Sequence, residues 1–83
     1  MPRYYFDIAE ADTVIQDQQG MDLDGLEAAR IEAVNRLPDF IRGIPADNER
    51  REIVVEVRDA SGVPLFKVTS SLVIMPFATH NRF

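Results

Sequence analysis

Eighty-three residues make about one domain, and a composition of 46% hydrophobic and 28% charged residues is that of a folded globule. The absence of cysteine excludes a disulfide framework, a thiolate zinc site and a cysteine nucleophile together. Charge is unevenly placed within the net -5: residues 1–29 hold seven acids against Arg3 alone, which makes the first part of the chain an expected anionic surface. Phosphate contacts need a basic stripe, so nucleic acid and anionic membrane are not expected partners.

The opening Met1 to Asp12 carries acids early and has no apolar stretch resembling a signal peptide, and no run approaches the roughly 18 apolar residues of a membrane span. A cytoplasmic location is expected. Residues 1–76 read as one domain and 77–83 as a loosely ordered tail.

From Arg3 to Ala9 apolar and polar residues alternate, with Tyr4, Phe6 and Ile8 on one face, which predicts a half-buried strand. Glu10 to Asp12 is a polar break, and Thr13 to Asp17 can return as a short second strand carrying Val14 and Ile15. Gln18-Gln19-Gly20 ends it, since glycine supplies the positive φ that a chain reversal demands.

Asp24-Gly25-Leu26-Glu27 fits a helix start closed by a capping box, with Asp24 as the cap and Glu27 reaching back. Leu26, Ala29, Ala33, Leu37, Phe40 and Ile44 then recur at three- and four-residue steps and form the stripe expected to pack on a sheet. Glu32 and Arg36 can pair at i,i+4 outside that stripe. Pro38 lies inside the pattern and removes one hydrogen bond, so a kink is expected there, or a restart as a short second helix over 38–43 ending at Gly43.

After a polar loop from Ile44 to Arg51, residues 52–58 alternate again, with Ile53, Val55 and Val57 on one face. Asp59-Ala60-Ser61-Gly62 has the composition of a type I turn followed by glycine in the left-handed region, which joins this strand to a fourth from about Leu65 to Ile74. Phe66, Val68, Leu72 and Ile74 share a face interrupted by Ser70, and a bulge at Ser70-Ser71 would account for the break. The predicted class is therefore α+β in the order β-β-α-β-β, with one kinked or split helix on a four-stranded, mainly antiparallel sheet.

Three stretches together resemble a family of short bacterial proteins known only as a domain of unknown function. They are Met1-Pro2-Arg3-Tyr4-Tyr5-Phe6-Asp7-Ile8; Asp17 to Gly20 with Leu26-Glu27-Ala28-Ala29-Arg30; and Arg51-Glu52 to Val57-Arg58-Asp59 with Gly62 and Pro64-Leu65. The resemblance covers nearly the whole chain, apart from Pro38 and the residues from Met75 to Phe83, and it implies a fold and no activity. A looser likeness, to partly degenerate RNase H-like antitoxin modules, is a fold-level analogy.

No catalytic, cofactor-binding or metal-binding residue can be named. His80 is the single histidine and has no acid beside it in sequence. Ser61, Ser70 and Ser71 lack a nucleophile-elbow setting. Asp22, Asp24 and Glu27 fail the spacing of a calcium loop, and helix capping explains Asp24 and Glu27 better. Tyr4 and Phe6 are core positions, which leaves Tyr5 alone as a base-stacking platform too small to serve.

The run from Leu72 to Phe77 is different, because consecutive apolar residues place side chains on both faces of a strand. Leu72, Ile74, Met75 and Phe77 are the candidate interface. The expected function is a non-catalytic interaction or accessory module whose partner is another protein or a second copy of itself. The alternatives are a small enzyme using carboxylates from the Asp7 to Glu27 set, or an antitoxin-like regulator.

Overall fold

The computed structural model describes residues 1–45, 50–75 and 77. Five strands and one helix follow in the order β1 (Arg3–Glu10), β2 (Thr13–Ile15), β3 (Met21–Asp22), α1 (Leu26–Arg42), β4 (Arg51–Asp59) and β5 (Pro64–Leu72). The sheet runs β2-β1-β4-β5, and β3 pairs with the same strand β1. All pairings are antiparallel. The fold is α+β, with one helix on one face of a mainly antiparallel sheet.

The alternation read from the sequence sets the two faces. Tyr4, Phe6 and Ile8 of β1 and Ile53, Val55 and Val57 of β4 are buried beneath α1, which contributes Ala29, Ala33 and Leu37. Register confirms the match, since Phe6 lies opposite Val57 and Ile8 opposite Val55. The two alanines, fully buried, let the helix axis come close to the sheet. Phe40, Ile44, Phe66 and Val68 are partly buried around this centre.

Several expectations need correction. A fifth strand, β3, pairs Met21 with Tyr4 and Asp22 with Arg3. Two residues are too few to show an alternating pattern, so only the tertiary partner reveals it. The helix is not split: α1 runs unbroken through Pro38 to Arg42. Pro38 and Val34, whose carbonyl loses its partner, are both solvent-exposed, so water can meet that carbonyl. Buried Leu37 and half-buried Phe40 hold the helix to the sheet on either side. Gly43 closes the helix in a right-handed conformation, its amide donating to Phe40 at 3.2 Å.

At the other end no capping box forms. The cap is Gly25, without a side-chain hydrogen bond. The amide of Leu23 donates to the Pro2 carbonyl at 3.0 Å, which ties the chain to the sheet almost up to the helix and leaves Gly25 to make the corner at φ +156. Asp24 is thereby placed before the cap. Leu26, expected in the core, is more than half exposed, because the first turn overhangs the sheet on its β5 side.

The hairpin between β4 and β5 forms as expected, with Gly62 at φ +87 and its amide donating to Asp59 at 3.0 Å. The irregularity in its ladder is not at Ser70-Ser71. Those residues pair regularly with Ile53 and Glu52, and the extra residue is Leu65, between the pairs Arg58–Pro64 and Val57–Phe66. A bulge next to the turn adjusts the hairpin twist. The strand is also shorter than expected, ending at Leu72 opposite Arg51, where β4 begins. Most of the tail expected to be loose, including His80, lies outside the described residues, as does part of the loop before β4.

Candidate functional site

Two places in this fold bring polar or apolar groups together in a way the chain order does not show. The first lies at the outer edge of β1. There β2 covers Ile8 to Glu10 and β3 covers Arg3 and Tyr4, which leaves a gap between them at Phe6. Asp17 fills the gap with its side chain. One carboxylate oxygen accepts from the Phe6 amide at 3.1 Å, and the other from the amides of Gln19 and Gly20 at 3.0 and 3.1 Å. Asp7 reciprocates by accepting from the Asp17 amide at 2.9 Å. An aspartate thus stands in for a strand, because it offers acceptors where a ladder would have placed carbonyls.

Arg58 straps this arrangement down from the far side of β1. It projects from β4 over the sheet face opposite the helix and donates to Asp7 at 2.7 Å. It then reaches the Asp17 carbonyl at 2.9 Å and lies 4.6 Å from the Tyr5 ring centre. Its ion pair with Asp7 is the least exposed among the described residues, at 20% and 12% side-chain exposure. The hydrogen bond to Asp7 pushes the Arg58 guanidinium above its ordinary value, against some opposing desolvation. For Asp17, burial pushes the carboxyl up, but the amides of Gly20, Phe6 and Gln19 and the charge of Arg36 outweigh it and hold the group below the usual carboxylate value.

Two of the seven acids read as anionic surface are therefore internal struts. The sequence did carry a signal for one: Asp17-Gln18-Gln19-Gly20 is an aspartate followed by amides it can bond two and three residues on. Nothing local points to Arg58, which is 51 residues from Asp7. The acids weighed as a cation site are also engaged or dispersed. Asp22 pairs with Arg3 at 3.0 Å and Glu27 with Arg30 at 3.2 Å, and among the described residues no acidic or histidine cluster converges as a metal site.

The second place is the β5 side of the sheet. A helix with its side chains is about 10–12 Å across, whereas four strands spaced about 4.8 Å apart span more than that. α1 lies over β4, near the middle of the sheet, and leaves the helix side of β5 half covered. A groove of about 660 Å³ follows, with Leu26, Arg30 and Val34 as its helix wall and Phe66 and Val68 in its floor. Beyond it the outer edge of β5 has no strand partner among the described residues. The chain then continues past the sheet, with Val73, Ile74, Met75 and Phe77 all exposed, the last two by three-quarters or more.

The fold and this half-covered edge define a small α+β domain with one open side. The chain belongs to a family described as Domain of unknown function (DUF6894), whose model matches residues 3–71. No curated protein and no solved structure matches it.

Proposed function

We propose that this domain is a non-catalytic interaction module that receives its partner on the β5 side, at the groove beside α1 and the free strand edge. The observation that carries the proposal is the coincidence there of a strand edge and uncovered apolar side chains. Phe66 and Val68 are only half buried, Leu26 and Val34 are more than half exposed, and the outer edge of β5 has no strand partner among the described residues. A strand laid along that edge gains main-chain hydrogen bonds from the ladder and selectivity from the groove. The carboxylate-enzyme alternative has less to draw on, because Asp7 and Asp17 already hold amides and Arg58.

Affinity capture with three variants tests this. Val34→Lys and Ile74→Lys change exposed positions on the proposed face, and Val14→Lys changes an exposed position on β2 at the opposite edge of the sheet. Proteins retained by wild type and by Val14→Lys but lost from the other two are the expected result. Equal retention by all of them refutes the proposal.

A further inference from the structure

A sheet edge can accept any extended chain, but an edge that pairs with itself about a two-fold axis has a stricter requirement. Residue i must meet residue j while j meets i, so the strand must match its own reverse. The β5 segment meets this requirement about Ser70. Reading outward in both directions, Thr69 mirrors Ser71, Val68 mirrors Leu72, Phe66 mirrors Ile74 and Leu65 mirrors Met75. One position breaks the pattern, Lys67 against Val73. Just outside the mirrored residues the sequence has proline on each side, at 64 and 76, and proline cannot donate to a ladder.

Resting on the interaction proposal above, we infer that the partner is a second copy of this chain, paired antiparallel through residues 65–75 with Ser70 on the two-fold axis.

The geometry accounts for features that the single chain leaves open. Val73, Ile74 and Met75 run past the end of β4 and have no strand beside them among the described residues of their own chain, whereas the paired copy offers residues 65–67. Phe66, Val68 and Ser70 are on the helix side of β5, opposite Val57, Val55 and Ile53. Strand alternation carries Leu72 and Ile74 onto the same side, so in the dimer they meet Val68 and Phe66 of the other copy and fill the groove beside Leu26 and Val34. Charge favours this face for self-pairing. Each copy carries -5, yet residues 63–77 hold a single charged side chain, Lys67. In this register the two Lys67 side chains are six positions apart along the ladder, about 20 Å, beyond the Debye length of about 8 Å at physiological salt.

Light scattering and site-directed crosslinking test the inference together. At about 100 μM the wild type should weigh twice the 9.4 kDa of one chain, and Ile74→Lys should return it to a single chain by placing a charge in the apolar contact. Because the chain has no cysteine, Ser70→Cys supplies one thiol at the axis and should be joined to its copy rapidly by a short bismaleimide. Ser61→Cys, in the exposed hairpin turn, should not, because the antiparallel register holds the two turns at opposite ends of the paired strands.

A wild-type mass of one chain at millimolar concentration, with Ser70→Cys crosslinking no faster than Ser61→Cys, overturns self-pairing. A dimer whose Ser70→Cys form does not crosslink overturns it equally, since the copies then meet elsewhere. Neither result touches the interaction proposal, which fails only if capture ignores Val34→Lys and Ile74→Lys.

Discussion

Replacing Asp17 with alanine removes three hydrogen bonds that its carboxylate accepts from backbone amides. Gln19 and Gly20 lie in a surface turn, where water can take the place of the lost acceptor, so their share is that of a capping residue, about 1 kcal/mol. Phe6 is different. Its side chain is almost fully buried, and its amide points into the gap between β2 and β3, where Asp17 is the acceptor. Leaving such an amide unmatched costs about 1–3 kcal/mol. The expected loss for Asp17→Ala is therefore about 2–4 kcal/mol, a large share of the roughly 5 kcal/mol a domain of this size has. In thermal melting this is a drop of about 10–30 °C. Asp17→Asn keeps one oxygen, enough for either Phe6 or the turn, and should lose about half as much. Urea titration followed by circular dichroism, with amide exchange read at Phe6, measures both. A shift below about 0.5 kcal/mol for the alanine variant would show that the gap is closed by some other means.

Other perturbations test separate parts of the structure. Gly20 and Gly62 both have positive φ, but a Cβ at Gly20 would come within 2.9 Å of the Arg3 and Tyr5 side chains, whereas one at Gly62 meets open space. Gly62→Val should cost about 1 kcal/mol from backbone strain alone, and Gly20→Ala about 2 kcal/mol or more from strain and overlap together, ranked by their urea midpoints. Pro38→Ala restores the hydrogen bond to Val34 in an exposed stretch of α1 and should stabilise by about 1 kcal/mol or more, the gain being reduced by the freer unfolded chain. Asp17 is held below the ordinary carboxylate value, so its contribution is complete above about pH 5 and is lost as pH falls through the lower folded value. Wild-type stability should accordingly drop on acidification below pH ~4, and Asp17→Asn should show a shallower dependence over the same range.

Periodicity alone settled the class of this fold. Alternation in Arg3–Ala9 and Glu52–Arg58 and the three-four spacing of Ala29, Ala33 and Leu37 are local records of which side faces the core, and burial follows them residue for residue. Glycine at 20 and 62 marked the reversals, because positive φ is a property of the single residue. What the sequence left undecided depends on groups distant along the chain. Strand β3 exists because Arg3 and Tyr4 lie beside it, and Gly25 replaces Asp24 as the helix cap because Pro2 holds Leu23. Asp7 and Asp17 look like surface charge until β4 brings Arg58 across them. Leu26 fits the apolar stripe, yet a single helix is too narrow to cover four strands, and only the placement of α1 along β4 decided that Leu26 would line an open groove beside β5 instead of the core.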